Sequence, residues 1–307
     1  MRGSEVIRLS VFFDHILQAE EQTGKHIPEL LAEVKKAGIS AVEINSTYLL
    51  KHLATLEMLE TAGLQVSCIY EFYALERGRE TEKARRHIEI ARKTKAGKIL
   101  IVPGFFSVET EEFANCVPDR EKVWDYLSHS EKAQRMADGL REIVEMAGSR
   151  NIADTPITVV IEDFDDRNSP IACVSGMQWF AEQVPGLCFT FDTGNFIIHG
   201  ENIFAAWEEL KDKVVHVHCK DRKISSDKPL QTQKNATPDI KECYLPAAVG
   251  EGCIPIKELV YKMKEYGYRG YLAIEHFDAA DQEAYMQKSA ANLQEYCSQT
   301  GMGIYTK

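Results

Sequence analysis

Residues 187–221 read LCFTFDTGNFIIHGENIFAAWEELKDKVVHVHCKD. Two short apolar runs, Leu187–Phe191 and Val214–Val217, flank a stretch of helical pattern, Ile203–Lys211. A strand-length run, a helix and a second strand-length run are what two parallel strands joined by a crossover require.

The same unit recurs outward from this stretch. A polar helical segment, a glycine and a short apolar run follow one another at Leu30–Gly38 into Ile39–Ile44, at Leu53–Gly63 into Leu64–Tyr70 and at Ala84–Gly97 into Ile99–Val102. They do so again at Ala133–Gly148 into Ile157–Ile161 and at Leu259–Gly267 into Tyr271–Ile274. Glycine accepts the left-handed backbone that ends a helix, so each glycine is expected to mark a helix-to-strand turn. With Ile7–Phe12 as a first strand, and with helices at Ser175–Gln183 and Ala284–Tyr296, the chain holds eight strands, each followed by a helical pattern. Eight such units predict an α/β fold, a single-domain (β/α)8 TIM barrel over residues 1–307. The rival open, doubly wound sheet carries a glycine-rich phosphate loop after its first strand. Here that strand runs into Phe12-Phe13-Asp14-His15. The long connection Asp221–Pro255, after the seventh strand, is expected to be a functional loop on the C-terminal face.

The 307 residues are 44% hydrophobic and 27% charged, which suits a core needing no disulfide or metal staple. The net charge of −11 argues against a nucleic-acid partner, which needs a basic surface. No apolar run is long enough to span a membrane, and Val6–Phe13, broken by Arg8, does not read as a signal peptide. The eight cysteines, at 68, 116, 173, 188, 219, 243, 253 and 297, form no Cys-x-x-Cys pair. Scattered thiols in a chain of this size suggest a cytoplasmic protein.

Active sites of this architecture lie at the C-terminal ends of the strands. Four consecutive strands end in charged or metal-binding groups: Val160-Ile161-Glu162, Phe191-Asp192, Val217-His218 and Ile274-Glu275. Burying one such charge alone is expensive, so these side chains must meet water, a partner or a metal. Strands five to eight are neighbours in a closed barrel, and the four groups can converge. Three carboxylates and one imidazole make an oxygen-rich site for one divalent ion, Mn2+ first, with Mg2+, Co2+ or Zn2+ as alternatives. His216 shares a strand face with His218 but lies deeper, where a structural hydrogen bond is expected. His276 should point the opposite way from Glu275, towards a helix. Glu43 and Glu71 also end strands, and neither is assigned a role.

The set Glu162, Asp192-Thr193-Gly194-Asn195, His216-Val217-His218-Cys219-Lys220-Asp221, Gly250-Glu251-Gly252 and Ile274-Glu275 resembles the xylose-isomerase-like sugar phosphate isomerase/epimerase superfamily. The resemblance implies one divalent metal held by Glu162, Asp192, His218 and Glu275. In the ketose 3-epimerases of that superfamily the two glutamates also act as acid and base. The pattern departs from those epimerases at three places. Asn195 stands where they carry a substrate-binding His, Asn168 where they carry a Glu, and Ile224 where they carry an Arg, with Arg222 nearby. Asn168, Asn195, Lys220, Asp221 and Arg222 are the expected substrate contacts. The His-x-Lys-Asp form also occurs in inosose dehydratases.

The expected function is therefore a metal-dependent isomerase or epimerase of carbohydrate metabolism, acting on a ketose or keto-polyol through an enediolate. A dehydratase on the same metal site is the alternative. An endonuclease IV-type nuclease would need more His and Asp at strand ends, and a non-catalytic sugar-binding barrel would not need the ligand set. The expected partner is a small-molecule sugar or polyol, with no nucleic acid or membrane; a homo-oligomer is left open.

Overall fold

The computed structural model describes residues 7–106, 112–117, 119–148, 156–166, 168–225 and 244–299. Eight parallel strands close on themselves: β1 (Arg8–Phe12), β2 (Ala41–Asn45), β3 (Gln65–Phe72), β4 (Lys98–Val102), β5 (Thr158–Glu162), β6 (Cys188–Asp192), β7 (Val214–Ile224) and β9 (Tyr271–Glu275). Each pairs with the next in the chain through β7, β9 joins β7 to β1, and the β6–β7 pairing completes the ring. This is a single TIM-barrel domain, with every expected strand present.

Helices wrap the outside. Those following the expected patterns are α2 (Ile27–Lys36), α4 (Ala54–Thr61), α5 (Thr81–Thr94), α7 (Glu131–Gly148), α8 (Val174–Gln183), α9 (Ile203–Leu210), α10 (Ile256–Tyr266) and α11 (Gln282–Ser298). Gly267 ends α10 as expected, at φ 93°, its N–H donating back to Lys264 and Met263. Gly148 does not act this way; it is the last residue of α7 itself. Three helices go beyond the sequence reading: α1 (Phe13–Thr23), α3 (Ser46–Lys51) and α6 (Arg120–His129). No described helix is long and apolar enough to cross a membrane.

The expected loop at 221–255 differs at both ends. Asp221–Ile224 continue β7 and pair antiparallel with β8 (Tyr244–Ala247), a short hairpin standing on the barrel rim. Residues 226–243 of that connection lie outside the described residues.

Alternation along each strand sorts side chains into two cores. Leu9, Val11, Ile99, Ile101, Val159, Phe189 and their equivalents pack outward against the helices. Phe12, Cys68, Tyr70, Leu100, Val102, Val160 and Ala273 fill the barrel itself. The inward set on the later strands turns polar: Glu162 on β5, Thr190 and Asp192 on β6, His216 and His218 on β7, and Glu275 on β9 are all buried.

Candidate metal centre and active site

One irregularity sets the geometry of the site. On the β6–β7 seam, Phe189 pairs with Val214, but Thr190 pairs with His216. β7 therefore carries one extra residue, Val215, at this point. A one-residue slip exchanges the two faces of a strand. Without the bulge, Asp192 would stand opposite Val217 and His218 would point at the helices. With it, Asp192 pairs with His218 and both face the interior.

The result is a tight cluster. Glu162, Asp192, His218 and Glu275 each offer one ligand atom, and these atoms lie within 4.8 Å of one another. None of the four residues is more than 8% exposed. His218 Nδ1 lies 2.7 Å from Glu162 Oε2 and 3.1 Å from Glu275 Oε2. Lys220 Nζ lies 2.5 Å from Glu275 Oε1 and 3.2 Å from Asp192 Oδ2. His218 is clamped on its other side, where the Phe12 ring meets it edge-on at 4.9 Å between centroids.

Burial and mutual repulsion strain the acids. Burial pushes the Glu162 carboxyl up, and the nearby Glu275 charge adds to that. Burial, with Glu275 and Glu162, raises Asp192 to about 7, against the pull of Lys220 and His218. Burial acts on Glu275 too, but Lys220 and His218 overcome it and hold that carboxyl low. His218 is held well above the ordinary imidazole range because Glu43 and Glu162 outweigh its burial. Three carboxylates this close favour a compact positive charge between them. His218 Nδ1, Asp192 Oδ2 and Glu275 Oε2 are buried without a well-directed hydrogen bond, although opposite charges lie near each. With Glu162, the donor set is three carboxylates and one imidazole, and orphaned oxygen and nitrogen atoms that close together fit a divalent ion.

Above the cluster opens a cavity of about 550 Å³. Lys220 and Arg222 line it, as expected. Its other wall is aromatic: Phe12, Tyr70, Phe72, Phe164 and Phe277. Phe72 and Phe277 stay 45% and 37% exposed at the rim. The sequence reading did not find this wall, because its residues come from β1, β3 and the segments after β5 and β9, which are far apart in the chain.

Three of the expected substrate contacts stand differently from Lys220 and Arg222. Asn195 is buried and does not line the cavity. Its Nδ2 donates to Asp163 O at 2.8 Å, and its Oδ1 accepts from Lys220 Nζ at 3.1 Å and Arg222 Nη2 at 2.9 Å. It orients the two cations instead of touching the cavity. Asn168 also stands away from the cavity lining; its carbonyl accepts from Phe106 N at 2.7 Å. Asp221 reaches the cavity edge, but its carboxylate turns into the chain that follows β8. It accepts N–H bonds from Arg222, Gly250, Gly252 and Ile254 at 2.8, 2.8, 2.9 and 3.2 Å. The Gly-Glu-Gly motif is thus the seat of this carboxylate. A Cβ on Gly252 would stand 2.1 Å from Asp221 Oδ1.

Glu43, given no role from sequence, is buried beneath His218 and accepts from His218 Nε2 at 3.1 Å and His216 Nε2 at 2.7 Å. A carboxylate in the apolar run Ala41-Val42-Glu43-Ile44 was the signal available for it. His276 does face helices, stacked on His15 of α1 at 4.5 Å with Tyr285 of α11 edge-on at 5.6 Å.

A family profile described as the xylose isomerase-like TIM barrel matches residues 31–296. The chain belongs to this family. Its members include isomerases and epimerases. No curated protein matches the chain. Among solved structures of the same barrel, a 3-keto-D-glucoside 4-epimerase from E. coli is 16% identical, with 94% of this chain and 99% of that one covered, at a TM-score of 0.65. A probable 3-DHS dehydratase from Bacillus anthracis is 15% identical, with 94% and 99% covered and a TM-score of 0.66. A D-psicose 3-epimerase from Clostridium cellulolyticum H10 is 13% identical, with 96% and 100% covered and a TM-score of 0.65. At these identities the likeness is one of fold.

Proposed function

We propose that the protein is a divalent-metal-dependent isomerase or epimerase of a ketose or keto-polyol, with Glu162, Asp192, His218 and Glu275 as metal ligands. The convergence of four buried donor atoms within 4.8 Å, at the floor of the cavity, carries this reading. The carboxylate-rich donor set favours Mn2+. The ion would polarise the substrate carbonyl and offset charge on the enediolate oxygens.

The remaining steps fall to the chain. Glu162, on β5, removes the proton next to the carbonyl; burial, which raises its pKa, makes its carboxylate a stronger base. Glu275, on β9, faces it across His218, and a proton passed to it from the Lys220 ammonium at 2.5 Å is delivered to the opposite face of the substrate. The Lys220 ammonium beside Glu275 and Asp192 supports the negative charge of the intermediate. The same ammonium could protonate a departing hydroxyl, which favours a dehydratase as the second reading. The aromatic wall excludes water and packs against the carbon face of the substrate. The seven described cysteines are all free thiols, which supports a reducing cytoplasm.

The test is solvent-deuterium exchange into a library of ketoses, inososes and keto-glycosides with Mn2+ present. Glu162→Gln and Glu275→Gln should keep bound metal and lose about 10²–10⁴-fold in exchange rate. A metal-loaded wild type that exchanges with no compound of the library sinks the enolising reading. A metal-loaded Glu162→Gln that exchanges normally moves the base elsewhere, with buried Asp163 next in line.

A further inference from the structure

We infer that Glu43 is a positioning residue for the metal centre: from beneath, its carboxylate fixes the His218 ring so that Nδ1, and not Nε2, joins the ligand cluster. This rests on the metal-centre reading above and assigns a role to a residue outside the ligand set.

The argument begins with burial. Glu43 is 0% exposed, and its strand neighbours Val42 and Ile44 pack outward against the helices. A carboxylate so placed is expensive unless it is paired and hydrogen-bonded. Its partners come from one strand. His216 and His218, two residues apart on β7, both point an Nε2 at the same oxygen, Oε2, at 2.7 and 3.1 Å. A carboxylate oxygen accepts, so both Nε2 atoms carry their hydrogens. In the neutral, metal-binding form of the ring His218 is then left with Nδ1 as its lone-pair nitrogen, and Nδ1 is the atom that faces Glu162 and Glu275. The rings of His216 and His218 meet edge to face at 5.4 Å, and Phe12 closes the far side of His218. The ring is therefore held in plane, in tautomer and in depth by three contacts, none of which is a ligand.

An anionic acceptor on the far nitrogen also makes an imidazole a stronger metal donor. Glu43, Cys68 and His216 form a second group of donors close enough to hold a metal of their own. Glu43 Oε2 is engaged by two imidazole N–H groups, which takes that oxygen and His216 Nε2 out of such a site.

The experiment measures Mn2+ affinity and stoichiometry by calorimetric titration of the whole chain, alongside the visible spectrum of the Co2+-loaded protein. Glu43→Gln keeps the side-chain volume and removes the charge. It should weaken Mn2+ binding about 10–100-fold and change the Co2+ spectrum, with one ion per chain in the wild type. A variant that is less stable but has wild-type affinity and spectrum overturns the inference, since its role would be structural only. Two ions in the wild type and one in the variant also overturn it, since Glu43 would then be a ligand. A wild type that binds no divalent ion overturns the metal-centre reading, and the inference with it. Should the variant fail to fold, nitrogen-15 NMR of the Zn2+-loaded wild type decides the matter. His218 should show a protonated Nε2 and a metal-bound Nδ1, and the reverse assignment overturns the inference.

Discussion

Asp221 shows how one residue can look like a ligand and be a brace. It follows Lys220 at a strand end, yet its two oxygens take four backbone N–H groups. Asn has the same shape but a single acceptor oxygen, and its amide would face donors. Asp221→Asn should therefore cost about 2–3 kcal/mol, since each buried N–H left unpaired costs about 1–3 kcal/mol. Urea unfolding would show a lower midpoint at unchanged slope, with Mn2+ affinity near that of the wild type. Unchanged stability would mean that residues 250–254 hold themselves. The sequence placed Asp221 among the substrate contacts because it follows Lys220 near the mouth, and only the direction of the following chain shows where its carboxylate turns.

At the scale of elements, the seam between β6 and β7 matters most. The bulge at Val215 turns His218 inward, and the Asp192–Asn195 turn is then stitched to β7. Thr193 N donates to His218 O at 3.0 Å, Thr193 Oγ1 donates to Lys220 O at 2.8 Å, and Arg222 Nε donates to Gly194 O at 2.6 Å. Gly194 lets the two backbones come this close, because a Cβ there would stand 2.7 Å from Lys220 O. Gly194→Ala should spread the seam, costing about 1–3 kcal/mol of stability through overpacking. It should also weaken metal binding, because Asp192 and Lys220 sit on the two sides of the wedge. A titration with Mn2+ and a thermal melt check both effects, and unchanged affinity would show that the cluster is set independently of this turn. The eight strands themselves were legible, since apolar runs bounded by glycine and polar residues have few other solutions. The helix α1 was not, because it starts at Phe13 directly after β1 with no loop to announce it. Neither was β8, whose four residues gain their pairing only from the end of β7.

For the whole molecule, a metal held by four strands should tie the barrel together. An ion that binds only the folded state stabilises it by about 2.7 kcal/mol at a hundred times its dissociation constant. With an unfolding entropy of about 2.1 cal/mol/K per residue, the 307 residues give a rise in melting temperature of about 4 °C, reversed by chelator. A melt that ignores Mn2+ would argue that the four groups are not ligands. The sequence by itself determined the barrel and named the four residues of the cluster. Strand and helix periodicity is local, and a charge at the end of a buried strand is expensive enough to be noticed. Only the tertiary structure decided which polar groups face the cavity and which are used up inside the protein. Asn195, Asp221 and Glu43 differ in where their partners lie, on other strands or across a turn. Those partners meet only when the ring of strands closes, with the β7 bulge setting which face of that strand points inward.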